Sequence, residues 1–252
     1  MLQLQRHSEI LKVLEDKEFV SIAELSEKLN VSHMTIRRDI EKLEADYRVA
    51  AVKGGVKAMA STSRELPRTH KAKIRHPQKV AIANTALSLI GQAKTLYLDA
   101  GTTTAEIAFL LEGRSDVVVI TNDIAITNYL MENGQCEVYC TGGKLDHQNG
   151  SFVGQRVADA IRSFNIDLAF VSTSGFSANG ISTPAEDKVT VKQAIAQMAK
   201  RKVLVSDSAK FGNISLHNAL PINVFEALIT DNGIEEEQIK ALVESGTSVH
   251  IA

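Results

Sequence analysis

Two kinds of residue grouping in this sequence could do chemistry, and both suit the binding of anions. The first is a set of short polar segments that each follow an apolar run: Asp99–Thr104 (DAGTTT), Thr121–Asp123 (TND), Thr141–Lys144 (TGGK), Ser172–Gly175 (STSG) and Ser206–Gly212 (SDSAKFG). Gly101, Thr102 and Thr103 open a helical pattern, where small residues present free backbone N–H groups and threonine hydroxyls add donors, so this segment is a candidate phosphate site. A Gly-Thr pair also serves as plain turn punctuation, so its repetition counts for more: Thr121, Asn122, Gly142, Gly143, Ser174 and Gly175 occupy equivalent places after other apolar runs. The second grouping is Ser32, His33, Met34, Thr35, Arg37 and Arg38. Arginine can bond guanine through two donors, threonine can meet a thymine methyl or a phosphate, and paired arginines neutralise backbone charge. Asp39 is placed to orient an arginine.

These residues need elements to position them. Ile10, Val13 and Leu14 predict a first amphipathic helix; Ser21 and Glu24 form an S-x-x-E start for a second, with Leu25 and Leu29 inward. Asn30 and Val31 break the pattern, and Ser32 caps a third helix whose inward face is Ile36, Ile40 and Leu43. Two short helices joined by a tight turn predict a helix-turn-helix, in which the start of the second helix meets the major groove. Arg48 to Val52 reads as a strand and Gly54-Gly55 as a reversal, which suits a wing carrying Lys53. The polar, basic stretch at 58–77 reads as a linker between a winged domain at 1–57 and a domain at 78–252.

Beyond it, a helix at 78–90 precedes apolar strands at 95–99, 117–121, 137–140, 168–172, 203–206, 227–230 and 248–251, with amphipathic helices such as 103–111 and 189–201 between them. That alternation predicts an α/β domain with a doubly wound, largely parallel sheet, whose ligand loops gather at the carboxyl ends of the strands.

The bulk composition agrees. The 252 residues are 44% hydrophobic and 23% charged with no Trp and four Pro, which excludes disordered and collagen-like classes. Net charge is −2, yet residues 1–79 hold 16 Lys/Arg against 11 Asp/Glu and the remainder 12 against 19, a basic piece on an acidic body. No apolar run is long enough to span a bilayer and the N-terminus carries no signal-like apolar stretch, so a cytoplasmic location without membrane contact is expected. Cys136 and Cys140 fall on one face of a strand and read as two reduced core thiols. His33 alone among the histidines sits in a functional position; His70, His76, His147, His217 and His250 have no ligand-spaced partners, so neither metal nor cofactor is expected.

The string VSHMTIRRDIEKL, preceded by R-x-x-x-I-L-x-x-L from Arg6 to Leu14, closely resembles the DeoR family of bacterial regulators of sugar metabolism, with Thr35 to Asp39 matching its T-I-R-R-D core. The strand-end segments also match the family's sensor domain, at Asp99, Gly101 to Thr103, Thr121-Asn122, Gly142-Gly143, Asp207 and Lys210. The resemblance implies a fold similar to ribose-5-phosphate isomerase and coenzyme A transferases, and a phosphorylated sugar or related metabolite bound without turnover. It implies that the Gly-Thr-Thr loop holds phosphate, that Asp99 and Asp207 accept hydroxyl hydrogen bonds, and that Lys210 supplies positive charge. Two positions depart from the pattern: Tyr47 stands where a glycine is common, and Ala51 where a basic residue precedes the Gly pair, removing one wing contact to DNA. A third departure is Lys188, four residues before Lys192, where a glutamate is common; it suggests an effector with a second negative charge, such as a phosphorylated sugar acid. An exposed surface lysine is the alternative.

The expected function is therefore repression of a carbohydrate or sugar-acid operon. Two recognition helices at a fixed separation, in a homodimer or homotetramer, would read a symmetric operator in double-stranded DNA. The competing class is an isomerase-like phosphosugar enzyme with an accessory DNA-binding domain, in which Asp99, Asp207 and Lys210 would move protons.

Overall fold

The computed structural model describes residues 3–17, 19–45, 49–58 and 66–252. The chain divides into two compact units, Met1–Ala60 and Ser61–Ala252.

The first unit runs α1 (Gln3–Asp16), β1 (Phe19–Ser21), α2 (Ile22–Leu29), α3 (His33–Ala45), β2 (Val49–Val52) and β3 (Gly55–Ala58). Its apolar residues fall at helical spacing and close one core: Ile10, Val13 and Leu14 of α1, Leu25 and Leu29 of α2, and Ile36, Ile40 and Leu43 of α3 are all buried, with Val20, Val49 and Val56 from the strands. The strands form an antiparallel sheet in the order β1-β3-β2. Ser21 caps α2 by accepting from Glu24 N–H at 3.1 Å, but the Glu24 carboxylate turns to Lys17 instead of closing the reciprocal box. Asn30, in the left-handed conformation at φ 51°, ends α2 and sets the turn into α3.

The second unit runs α4 (Arg68–Lys73), α5 (His76–Ile90), β4 (Thr95–Leu98), α6 (Thr102–Phe109), β5 (Val118–Thr121), α7 (Ile124–Asn133), β6 (Glu137–Cys140), β7 (Lys144–Asp146), β8 (Ser151–Val153), α8 (Gln155–Arg162), β9 (Ile166–Val171), β10 (Gly175–Ser177), β11 (Gly180–Thr183), α9 (Glu186–Met198), β12 (Ala199–Val205), β13 (His217–Pro221), β14 (Ala227–Thr230), α10 (Glu236–Glu244) and β15 (Ser248–Ile251). Seven strands form one parallel sheet in the order β15-β14-β12-β9-β4-β5-β6, as the alternation predicts. Side chains alternate across it. Leu96, Leu98, Val119, Leu168, Phe170, Val203 and Val205 meet α5, α6 and α7 on one face, while Tyr97, Ile120, Ala169, Val171 and Leu204 meet α8 and α9 on the other. The chain moves outward from β4 through β5 to β6, then returns to the other side of β4 with β9, so the order reverses between β4 and β9. A doubly wound sheet opens its ligand crevice at the carboxyl end of such a reversal.

Several elements differ from the sequence expectations. The linker read at 58–77 is not uniform: Ala58 closes β3, Arg68–Lys73 is helical, and α5 begins at His76. The segment's Arg68, Lys71 and Arg75 bond side chains in loops of the second unit, an anchoring that local polarity does not reveal. The hairpins β7–β8 and β10–β11 have strands of three or four residues, and β13 (HNALP) is polar at its start and ends in proline, so none reads as an apolar run. Cys140 is exposed on the edge strand β6 and only Cys136 packs against the core, because β6 has one neighbour and its outer face lacks a covering layer at that position. No helix among the described residues is long and apolar enough to cross a membrane.

Candidate functional sites

In the first unit, α3 presents the predicted residues outward. Ser32 accepts from Thr35 N–H at 3.2 Å and its hydroxyl lies 2.9 Å from that of Thr35, so the cap also fixes the Thr35 side chain. His33, Met34, Arg37 and Arg38 are exposed while Ile36 and Ile40 are buried, leaving one polar face. Met34, 60% exposed, supplies an apolar surface suited to base methyl groups. Lys53 is exposed in the β2–β3 turn. Ala51 is exposed and donates its N–H to Glu44 Oε1 at 2.8 Å; Tyr47 lies outside the described residues.

Asp39 does not orient an arginine of its own helix. It sits at an inward position of α3, 1% exposed, and accepts from Arg6 of α1 at 2.7 and 3.1 Å, with Gln3 at 3.3 Å and His7 at 3.2 Å. Burial works against its charge, but the Arg6 hydrogen bonds and charge outweigh it and hold the carboxyl below its ordinary value. The T-I-R-R-D aspartate therefore locks α1 onto the back of α3 and leaves Arg37 and Arg38 facing solvent.

In the second unit, the strand ends converge at the β4–β9 reversal. Asp99 follows β4 and Ser172 follows β9; Asp99 Oδ2 accepts from Ser172 N–H at 3.0 Å and from its hydroxyl at 3.1 Å. Lys192 of α9 donates to the same oxygen at 2.7 Å and to Ser172 O at 2.6 Å, while Asp99 Oδ1 takes Ala100 N–H at 2.9 Å. Asp99 is thus committed to the protein as a counter-ion, where the resemblance implies an acceptor for ligand hydroxyls. Gly101 comes so close to Ser172 that a Cβ there would lie 2.7 Å from the serine Cβ, which requires glycine.

Thr102, Thr103 and Thr104 form the first turn of α6, which no side chain caps. The first N–H groups of a helix lack intrahelical acceptors and carry the positive end of its dipole, so this turn can hold an anion. Thr121 and Asn122 support it from behind: Thr121 Oγ1 donates to Leu98 O at 2.7 Å, and Asn122 Oδ1 accepts from Tyr97 OH and Ala100 N–H, both at 3.0 Å. Gly142 and Gly143 turn the chain from β6 into β7 with φ of 62° and 114°, values that disfavour side chains. Ser174 is half-buried beside Gly175, which packs against the Asn213 carbonyl.

Cations surround this crevice, several of which sequence reasoning missed. Arg68 pairs with the buried Asp123, which also accepts Gly101 N–H at 3.1 Å and caps α7 through Ala125 and Ile126 N–H. Burial raises the Asp123 carboxyl above its ordinary value despite Arg68. Arg75, left-handed at φ 51°, reaches Asp231 at 2.7 Å and Asp207 at 3.3 Å. Burial opposes the charge of Asp231 too, but donors from Ser208 and the charge of Arg75 keep its carboxyl below the ordinary value. Lys210 lies 3.8 Å from Asp207 and donates to Thr173 O at 3.0 Å. Lys188 is 3.5 Å from Asp146, so its charge is already partly matched. Among the described residues no cluster of His, Cys, Asp and Glu could hold a metal ion.

Comparison with known proteins agrees with this division. A family model for the DeoR-like helix-turn-helix domain matches residues 6–62, and one for the DeoR C terminal sensor domain matches residues 74–232. The chain is 44% identical over its full length, and 99% of the relative's, to YgbI, an uncharacterized HTH-type transcriptional regulator of Escherichia coli (strain K12). It is 30% identical to the glycerol-3-phosphate regulon repressor of the same organism, over 92% of both chains. Of solved structures, a DeoR family transcriptional regulator from Listeria monocytogenes aligns over 84% of this chain and 94% of that one, at 12% identity and a TM-score of 0.39. With the two family domains together spanning most of its length, the chain belongs to the DeoR family of transcription regulators.

Proposed function

We propose that the protein is a sequence-specific DNA-binding repressor of a carbohydrate or sugar-acid catabolic operon, released or engaged by a phosphorylated sugar-like effector in the second unit. The observation that carries this reading is the uncapped start of α6 at the sheet's reversal point, bordered by the Arg68–Asp123 and Asp99–Lys192 pairs. Relatives named for the glycerol-3-phosphate regulon, the lactose phosphotransferase system and, putatively, the aga operon support a ligand of that chemistry. Lys188, in the half-buried pair with Asp146, favours an effector whose carboxylate competes for the ammonium. Lys188→Glu should weaken such a ligand in calorimetry more than it weakens a phosphosugar without a carboxylate; unchanged affinity for the acid would remove the second charge from the proposal.

Coupling to DNA runs through α4. Arg68 joins this helix to the residue that also holds Gly101 N–H, so an anion at the Gly-Thr-Thr loop acts on Asp123 and on α4 together. Symmetric operators require paired recognition helices, hence a homodimer or homotetramer.

Catalysis is the weaker reading because Asp99 and Asp207, the candidate acid-base groups, are engaged by Lys192 and Arg75. A thermal-shift screen of phosphosugars and phosphorylated sugar acids tests the sensing role, since a ligand of the folded state raises Tm by mass action. NMR of a hit incubated with the protein distinguishes the two readings: binding without conversion is expected, and turnover would show an enzyme.

A further inference from the structure

The turn between β7 and β8 bonds to α9 on one side and to α4 on the other. Asp146 ends β7 and organises the turn: its Oδ1 accepts Gln148 N–H at 3.1 Å and Asn149 N–H at 3.4 Å, and its Oδ2 accepts the Asn149 side-chain amide at 2.8 Å. Lys188 of α9 lies 3.5 Å from the same Oδ2. Towards α4, Gln148 O accepts Arg68 N–H at 3.0 Å, and Asn149 Oδ1 accepts from Lys71 Nζ. Lys188, Asp146, Asn149 and Lys71 thus form one row of polar contacts. It runs from α9, whose Lys192 holds Asp99, to α4, the first helix of the second unit.

The strands of the hairpin have their own anchors. Lys144 lies 2.8 Å from Asp187, and Gly154 N–H donates to Asp187 O at 3.1 Å. Asn122, at the crevice, accepts Phe152 N–H on its carbonyl at 2.8 Å and donates its side-chain amide to Phe152 O at 2.9 Å. The turn itself does not call for a cation, since a neutral asparagine at 146 could accept the same N–H groups. The charge at Asp146 therefore answers Lys188. Their separation of 3.5 Å exceeds the about 2.7–2.9 Å of a close charge-assisted hydrogen bond, so a ligand carboxylate in better geometry can take the ammonium. Asp146 would then keep a half-buried charge without that cation, which destabilises the turn that presents Asn149 Oδ1 to Lys71.

We propose that the β7–β8 turn relays the effector's carboxylate to α4: a carboxylate that draws Lys188 off Asp146 loosens the turn and, through Gln148 and Asn149, releases the helix nearest in sequence to the DNA-binding unit. This rests on the reading that Lys188 meets an acidic effector, and it adds the element that carries the signal. A phosphate at the Gly-Thr-Thr loop reaches α4 by a separate route, through Asp123 and Arg68. Acidic and carboxylate-free ligands should accordingly differ in their effect on DNA binding as well as in affinity, because each shifts α4 only through the contacts it changes.

The test uses the full chain and begins without ligand, by hydrogen exchange of the α4 amides. Lys188→Met should speed their exchange several-fold although the substitution lies on α9, and Asn149→Ala should do the same. The double variant should exchange no faster than either single one, because both act on one row of contacts. Asp146→Asn should restore wild-type exchange to Lys188→Met, since the neutral turn has no charge to balance; circular dichroism checks that each variant folds. The ligand arm compares 3-phosphoglycerate with glycerol 3-phosphate, and 6-phosphogluconate with glucose 6-phosphate. In Asn149→Ala an acid that binds should keep its affinity within a few-fold, while its effect on operator affinity falls to that of its carboxylate-free partner. Unchanged α4 exchange in Lys188→Met, or additive effects in the double variant, would overturn the relay and leave Lys188 as a ligand contact. A wild type that binds neither acid more tightly than its partner would overturn the carboxylate reading itself, whatever the exchange shows.

Discussion

Lys192 Nζ lies 2.7 Å from Asp99 Oδ2, and this buried pair ties α9 to the end of β4 where the strand order reverses. Ser172 completes it from β9 through two hydrogen bonds to the same carboxylate oxygen. Breaking a buried pair leaves one uncompensated charge, which typically costs about 3–5 kcal/mol. Asp99→Asn and Lys192→Met should each lower the sensor unit's stability by roughly that order in urea unfolding. The double variant should recover much of the loss, because neither charge remains buried alone. Equal losses in the single and double variants would contradict the pairing.

Arg68 and Asp123 give a prediction with a pH sign. Asp123 is fully buried, and burial already raises its carboxyl above the ordinary 3.8. In Arg68→Ala that carboxyl loses its cation and rises further, so the folded state binds a proton that the unfolded state releases. The variant's deficit relative to wild type should therefore be largest near pH 7.5 and shrink towards pH 5, as Asp123 protonates. Thermal melts at the two pH values measure it. The same variant should uncouple effector binding from DNA binding, since α4 loses its tie to the Gly-Thr-Thr loop.

For the first unit the carboxyl's shift runs the other way, though the variant's deficit again closes towards acid. The Asp39 carboxyl lies below its ordinary 3.8, so its contribution is present above that value and disappears as pH falls through its lowered folded value. Asp39→Asn should be clearly less stable than wild type at pH 7, with the gap closing below about pH 4, followed by circular dichroism. Arg6→Ala should also lower stability at pH 7, by less than the loss of a bare buried charge, because Gln3 and His7 still bond Asp39.

Arg37 is exposed on α3 beside the Ser32–Thr35 cap. Arg37→Ala should weaken operator binding by about 1–3 kcal/mol if it reads a base, or lower the salt dependence by about one phosphate contact if it meets the backbone. The effector-induced rise in Tm should be unchanged.

The elements and the two sites were legible to different degrees. Helix α3 and the seven parallel strands leave local patterns: Ile36, Ile40 and Leu43 at helical spacing, and apolar runs ending in Gly, Ser and Thr. The supporting charges join residues far apart in the chain. Arg68 meets Asp123, Arg75 meets Asp231 and Lys192 meets Asp99, which no window of sequence brings together. Polarity at 66–77 thus reads as a linker when its cations are in fact anchors. A signal did exist for Asp39, which falls on the inward stripe of its helix, where a charge demands a partner.

Effector-controlled DNA binding is measured most directly by fluorescence anisotropy of the full chain on DNA from its own upstream region, titrated with each phosphorylated compound that raises Tm. At least one such ligand should change operator affinity about tenfold or more, a coupling free energy of about 1.4 kcal/mol, and Arg37→Ala should weaken the complex in either state. Ligands that bind tightly yet leave operator affinity untouched, or DNA binding indifferent to Arg37, would contradict it.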